Sequence, residues 1–238
     1  MPHNPCKAVP PLRHAAPELD YLRMDEIPRY LDACPEHYRP LAELLIGTGT
    51  RISEALALTW SDVDLSTQVI RVQRQRPRKA GDAHTPPKGR RARAVQIGPD
   101  LASLLRSIHE QRPQPINDAG WIFLCPVPAR GRYAHRTQPT PPNRKTVHDW
   151  HEAALRRAGL RDMPLHALRH TAAATWLSTG HPLIFVARQL GHRSITTTEQ
   201  HYAHLETSFM RGAAAQTEAL IAAHSRAYPE VQRPLFSS

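Results

Sequence analysis

Two short runs of alternating, β-branched residues interrupt a chain whose other periodic segments have helical spacing. The runs cover residues 68–73 and 93–97, and each predicts a strand. A basic connection that contains Lys79, Lys88 and several arginines joins them, which is typical of a hairpin with a long tip. Because strand signal is so scarce, we predict an α+β fold that is mainly α, with a small antiparallel sheet of about three strands.

Apolar residues recur at helical spacing along most of the remaining chain. The predicted helices cover residues 24–31, 38–46, 51–60, 99–111, 145–158, 165–178, 183–189, 196–203 and 206–223. A short apolar run at residues 121–124 predicts the end of a further strand. Proline-rich termini flank this pattern, so residues 1–20 are predicted to be a disordered lead-in, residues 21–225 the folded domain, and residues 226–238 a flexible tail.

The charge of the chain gives the first indication of a partner. Lysine and arginine number 31 against 21 aspartates and glutamates, so the net charge is +10. A basic excess of this size favours a polyanion such as nucleic acid, because neutralising phosphates releases condensed counterions. No stretch approaches the roughly 18 consecutive apolar residues of a membrane span, and the N-terminus lacks the apolar core of a signal peptide.

The cysteines indicate the compartment. Cys6, Cys34 and Cys125 are odd in number, are scattered along the chain and form no C-x-x-C pair. This arrangement argues against a disulfide framework and against a cysteine-based zinc site. We therefore expect reduced thiols, a cytoplasmic location and no contact with a membrane.

Five polar motifs follow one another in a fixed order. They read G-T-G-T-R-I-S-E at 47–54, K-G-R-R-A-R-A-V at 88–95, H-A-L-R-H at 166–170, L-G-H at 190–192 and Y-A-H-L at 202–205. In this order they resemble the phage integrase, or tyrosine recombinase, family, whose pattern is T-G-x-R-x-x-E, a hairpin lysine, H-x-L-R-H, L-G-H and a tyrosine. Each piece alone is weak, but five in the correct order and spacing are specific. The resemblance covers residues 19–205 and implies the catalytic-domain fold of that family.

The resemblance implies a site-specific DNA recombinase that cleaves and rejoins DNA through a 3′-phosphotyrosyl intermediate. Arg51 and Arg169 would clamp the phosphate, since a guanidinium is always charged and forks onto phosphate oxygens. Tyr202 would be the nucleophile. A phenol has a pKa near 10, so it needs a proton acceptor, for which His166 is the candidate. His192 would donate a hydrogen bond to the phosphate.

Two further assignments have rivals. Lys88 matches the hairpin lysine that protonates the departing 5′-oxygen in the family, while Lys79 lies in the same connection. We favour Lys88 because it precedes the second predicted strand at the family's distance. Glu54 is predicted to orient the groups of the site, and the alternative is an ordinary carboxylate on a helix surface.

The H-A-L-R-H motif also invites comparison with zinc proteases, because His166 and His170 are four residues apart. Ala167 stands where those enzymes have glutamate, so that class is excluded. We interpret His170 as a packing or hydrogen-bonding residue. No metal or cofactor is expected, because the arginine pair would supply positive charge and the phosphotyrosyl bond would store the energy of the phosphodiester.

Two departures from the family pattern stand out. Tyr202 lies ten residues after His192, one more than in many relatives. Only some 20 residues precede Tyr21, so we expect the N-terminal DNA-clamp domain of the family to be missing, as in the short fimbrial-switch invertases that this chain resembles.

The expected partner is double-stranded DNA, bound by a homo-tetramer on paired sites, with DNA-bending accessory proteins as further candidates. The predicted helix at residues 206–223 would dock on a neighbouring protomer, as in relatives. One alternative is a non-catalytic DNA-binding regulator, or a truncated integrase remnant that retains the fold. Another is relaxation of supercoils by the same chemistry, as in type IB topoisomerases.

Overall fold

The computed structural model describes residues 19–76, 92–111, 120–126, 140–192, 194–199 and 202. Its helices are α1 (Glu26–Ala33), α2 (Arg39–Thr48), α3 (Ile52–Ala55), α4 (Pro99–Glu110), α5 (Arg144–Ala158), α6 (Ala167–Ser178) and α7 (Leu183–Leu190). Its strands are β1 (Val63–Asp64), β2 (Val69–Val72) and β3 (Arg93–Gln96). The mainly helical fold with a small antiparallel sheet is thus confirmed. Residues 1–18 of the predicted lead-in, the hairpin tip, the helix at 206–223 and the tail lie outside the described residues.

The sheet confirms the predicted hairpin. Its strands are antiparallel in the order β1-β2-β3, and Ile70 of β2 lies opposite Val95 of β3. Ile70, Val72 and Val95 are fully buried, which agrees with the alternation of apolar and polar residues in the sequence. The third strand is β1, however, whereas the predicted strand end at 121–124 forms only an isolated bridge between Trp121 and Thr59.

The predicted helix at residues 51–60 is wrong in length. Helix α3 is a single turn, and by Thr59 the backbone is extended, with φ −121° and ψ 164°. The N–H and hydroxyl of Thr59 both donate to Asp62, each over 2.9 Å, and Arg74 donates to the same carboxylate oxygen over 2.6 Å. Thr59 therefore begins the 3₁₀ turn Trp60–Asp62 instead of continuing the helix.

The remaining helices match their predicted positions to within two residues. α2 packs against α6 and against α4, while α1 packs against α5, so that α2 lies at the centre of the core. Residues 195–199 are helical, and they overlap the short helix predicted at 196–203. Among the described residues, no helix has the length and apolarity needed to cross a membrane.

A chain of buried hydrogen bonds fastens α5 to the N-terminal helices. His151, which is fully buried, lies 3.1 Å through Nε2 from the carbonyl of Met163 and 2.6 Å through Nδ1 from the hydroxyl of Tyr30. A carbonyl can only accept, so Nε2 carries the proton and Nδ1 accepts from Tyr30. The Tyr30 hydroxyl can then accept from that of Tyr38, 2.8 Å away. Burial lowers the pKa of His151 to about 4, which keeps the ring neutral.

We predict that this histidine makes the fold sensitive to acid. In the unfolded chain His151 regains its usual pKa of 6.5, so below that pH the unfolded state binds a proton that the folded state accepts only near pH 4. Its contribution to stability is therefore complete above pH 6.5 and is lost as the pH falls towards 4. Between pH 6.5 and 4, the free energy of unfolding of the parent chain should therefore fall by ~3 kcal/mol more than that of His151→Gln. Chemical unfolding of both proteins across this range measures the difference.

The control is His181→Gln, which changes an exposed histidine outside α5 that takes no part in the buried chain of hydrogen bonds. It should leave the pH dependence of the parent unchanged. An unaltered slope in His151→Gln would contradict the assignment of a buried, neutral ring.

Candidate active site

The candidate site is organised around one buried carboxylate. Glu54, on α3, has no exposed surface, and its oxygens accept hydrogen bonds from two arginines. Arg51, directly before the helix, donates its backbone N–H over 2.9 Å and Nη1 over 3.1 Å. Arg93, on β3, donates Nη1 over 3.1 Å and Nη2 over 2.7 Å. Burial raises the pKa of Glu54, but hydrogen bonds and charges from Arg93 and Arg51 outweigh it and lower the pKa below its usual value.

Arg93 extends this network to α7. Its Nε donates to the carbonyl of Gln189 over 3.0 Å, and the Gln189 side chain bonds both backbone groups of Gln96 on β3. Gly191 follows directly and has a left-handed φ of 69°. A Cβ there would lie 2.8 Å from the Arg93 side chain, so glycine allows the end of α7 to approach the arginine. The L-G-H motif is thereby fixed against the sheet.

Arg169 is anchored by the C-terminal ends of two helices. Its Nη1 donates to the carbonyl of Gly49 after α2 over 2.6 Å, and its Nη2 to the carbonyl of Leu190 at the end of α7 over 2.7 Å. Both carbonyls carry the partial negative charge of a helix C-terminus, which favours a cation. Arg169 is only 4% exposed, and burial, followed by the charge of Arg51, lowers its pKa to about 9.

His166 lies on a small cavity beside these arginines. The cavity has a volume of about 30 Å³ and is lined by Thr50, Ile52, Arg144, His166 and Arg169, among others. Burial lowers the pKa of His166 to about 4, and electrostatic interaction with His170, Arg169, Arg51 and Arg144 acts in the same direction. An unprotonated imidazole therefore borders a pocket with positive potential.

Tyr202 lies in an apolar cluster next to this pocket. Its side chain is 2% exposed and packs with Ala173, Leu177, Val186 and Leu190 of α6 and α7. The hydroxyl lies 2.6 Å from Nδ1 of His170. Burial raises the pKa of Tyr202 to about 12, although the charge of Arg169 lowers it in part. The phenol is thus held protonated, with a histidine nitrogen directly at its oxygen.

The other two predicted site residues are His192 and Lys88. His192 follows Gly191, and its Nδ1 lies 2.6 Å from the hydroxyl of Thr198, which is itself buried. Lys88 and its rival Lys79 lie outside the described residues, so the predicted hairpin lysine has no described position.

The structure thus brings Arg51, Glu54, His166, Arg169 and Tyr202 into one region, from three separate motifs. Four further residues contribute to this region without a role predicted from the sequence: Arg93, Arg144, Gln189 and Thr198. Arg93 could have been found, because it is the arginine of the K-G-x-x-x-R-x-V pattern. His170 was interpreted as a packing or hydrogen-bonding residue, and its partner is the hydroxyl of the predicted nucleophile.

Several known proteins are similar to this chain in sequence or in fold. The tyrosine recombinase XerC of Mycobacterium tuberculosis is 31% identical over 233 residues, which cover 93% of this chain and 66% of that protein. The crystal structure of XerA recombinase matches with a TM-score of 0.64 and 26% identity over 90% of this chain and 69% of that one. The Tn1549 transposon integrase, solved with circular intermediate DNA, matches with a TM-score of 0.66 and 21% identity over 86% of this chain and 68% of that one.

The matches cover most of this chain but only part of each relative. The chain spans between 56% and 66% of the length of the curated relatives it matches. The Phage integrase family matches residues 20–208, a range that includes all five motifs. This match covers most of the chain, and it shows that the chain belongs to the phage integrase family.

Proposed function

We propose that this chain is a site-specific DNA recombinase that cleaves and rejoins double-stranded DNA through a 3′-phosphotyrosyl intermediate. The observation that carries the proposal is the convergence of two arginines, Arg51 and Arg169, on one site next to a buried tyrosine. Two cations held this close repel each other, and an anion placed between them offsets that repulsion. A DNA phosphate is such an anion, and the Tn1549 integrase, which shares the fold, was solved with DNA.

The phosphate would be bound by the arginines before any bond changes. Arg169 makes its described hydrogen bonds to neutral carbonyl oxygens, so these bonds leave its positive charge unneutralised. The carboxylate of Glu54 accepts a hydrogen bond from Nη1 of Arg51, which fixes the direction of the guanidinium. Preorganised charges of this kind stabilise the negative charge that builds on the non-bridging oxygens during in-line attack.

The chemical step follows from the nucleophile. The Tyr202 oxygen attacks phosphorus and loses its proton to a neighbouring base, while the bond from phosphorus to the 5′-oxygen breaks. A 3′-phosphotyrosyl bond forms, and the 5′-oxygen leaves as a hydroxyl after receiving a proton, which we assign to Lys88. Attack by a 5′-hydroxyl of a second strand reverses these changes and rejoins the DNA. His192 would donate a hydrogen bond to the phosphate throughout.

This scheme requires no nucleotide cofactor, because one phosphoester bond is exchanged for another of similar energy. It also assigns to the arginine pair the positive charge that other phosphoryl-transfer enzymes take from metal ions. Strand exchange needs two sites and four nucleophiles, so the proposed assembly is a homo-tetramer on paired sites, with DNA-bending accessory proteins as further partners. The odd number and scattered positions of the cysteines support the cytoplasm as its location.

We predict a covalent adduct that depends on Tyr202. The purified chain would be incubated, with EDTA present, with a nicked suicide duplex that spans the DNA flanking its own gene. A protein–DNA band that resists SDS should form, because loss of the short 5′-fragment at the nick traps the phosphotyrosyl bond. Tyr202→Phe, which removes only the attacking oxygen, should form no adduct while it still binds the duplex.

The matched control is Tyr228→Phe, which changes the other tyrosine of the C-terminal segment and should leave the adduct intact. Tight binding by the wild-type chain without an adduct would contradict the proposal and favour the non-catalytic regulator. Relaxation of a supercoiled plasmid without any defined site would favour the topoisomerase alternative instead.

We further predict that Glu54→Gln impairs cleavage more than DNA binding. The amide cannot balance the charges of Arg51 and Arg93, so both guanidinium groups lose their fixed direction. Adduct formation under single-turnover conditions should slow by about 10²-fold, the usual effect of losing one preorganised group. The free energy of unfolding should fall by ~3 kcal/mol, because a buried ion pair loses one partner.

Glu43→Gln provides the control, since Glu43 forms an ion pair with Arg39 on the surface of α2. It should change the free energy of unfolding by less than ~0.5 kcal/mol and leave cleavage unchanged. Equal effects of the two substitutions in urea unfolding would show that Glu54 has no special role.

A further inference from the structure

The hydroxyl of Tyr202 has a partner outside the six residues to which sequence analysis assigned catalytic roles. The oxygen lies 2.6 Å from Nδ1 of His170, a half-buried residue on the first turn of α6. This distance is at the short end for a hydrogen bond between an oxygen and a nitrogen. The contact joins residues 32 positions apart, and apolar residues of α6 and α7 enclose Tyr202 beside it.

We propose that His170 is a catalytic residue of this chain, namely the group that accepts the proton of Tyr202 as the tyrosine attacks the phosphate. The inference deepens the proposed function and rests on it. In the step, Nδ1 of the neutral ring takes the hydroxyl proton and the phenolate oxygen forms its bond to phosphorus. The bond to the 5′-oxygen breaks, and that oxygen is protonated by a separate group. When the strand is rejoined, His170 returns the proton to the tyrosine.

The first support is geometric. A general base must lie within hydrogen-bond reach of the proton it removes, and Nδ1 already meets this condition. His170 directly follows Arg169, which is held by two backbone carbonyls, so its position on the helix is fixed to that of the phosphate clamp. One turn of α6 therefore fixes the positions of the arginine and of the base, and the base contacts the tyrosine hydroxyl.

The second support is electrostatic and concerns His166, the base predicted from the sequence. Burial and the surrounding positive charges, including Arg51, lower the pKa of His166 to about 4, so it is a weak proton acceptor. It lines the cavity with Arg169, where a hydrogen bond to the phosphate suits it better. The rings of His166 and His170 meet edge to face with their centroids 4.9 Å apart, and it is His170 whose nitrogen lies at the tyrosine hydroxyl.

The test uses adduct formation on the nicked suicide duplex that spans the DNA flanking the gene. His170→Asn keeps a polar atom near the position of Nδ1 but cannot take a proton, so cleavage should slow by about 10²- to 10⁴-fold. His170→Ala should be slow as well, and added imidazole should restore part of its rate. His181→Asn, an exposed histidine just beyond α6, should cleave at the wild-type rate with or without imidazole.

A second substrate separates the base from the acid. A duplex with sulfur in place of the bridging 5′-oxygen has a leaving group that departs without a proton, so it rescues variants that lack the acid. His170→Asn should remain slow on it, because removal of the tyrosine proton is still impaired. Urea unfolding of each variant would show that the fold is retained.

The outcomes distinguish this inference from the function on which it rests. No adduct with the wild-type chain would overturn both. A wild-type adduct together with normal cleavage by His170→Asn would overturn the role of His170 alone. The same holds if the sulfur substrate restores His170→Asn, or if imidazole rescues His166→Ala but not His170→Ala.

Discussion

The buried carboxylate of Glu54 is the interaction on which the site depends. A charge without exposed surface is tolerated only when it is paired and fully hydrogen-bonded, and here Arg51 and Arg93 provide both. These partners come from the segment before α3 and from β3, so one ion-pair network fixes the helical core to the sheet. Through Arg93 it also determines how closely the end of α7 approaches, and hence where the L-G-H motif lies.

Arg169 is also a buried charge, and it is stabilised by backbone dipoles. Its charge is buried next to Arg51, and the carbonyls at the C-terminal ends of α2 and α7 offset part of the cost. Gly49 makes this possible, because its φ of 59° ends α2 and a Cβ there would lie 2.6 Å from Leu190. The two helix ends can therefore meet at one guanidinium. The fold thus collects positive charge at a single point, which is what a phosphate-binding site requires.

The helical spacing of apolar residues gave the wrong prediction where other hydrogen-bond partners compete with the helix. The segment at 51–60 has helical spacing, but Asp62 and Arg74 satisfy the backbone N–H and hydroxyl of Thr59 in an extended conformation. Likewise, Val63–Asp64 is too short for its alternation to be recognised, and it becomes a strand because β2 pairs with it. Both outcomes depend on hydrogen bonds to particular neighbours, which the periodicity of apolar residues does not register.

The sequence by itself determined the helical pattern, the hairpin and the order of the motifs, because the spacing of apolar residues and the identities of the charged ones are local properties. It also singled out Arg51, His166, Arg169 and Tyr202 as residues of one site. Only the tertiary structure decided that Arg93 and Arg51 both donate to Glu54 and that His170 contacts the Tyr202 hydroxyl. These are contacts between residues 39 and 32 positions apart, and their distances are set by how β3, α6 and α7 pack around the buried charges.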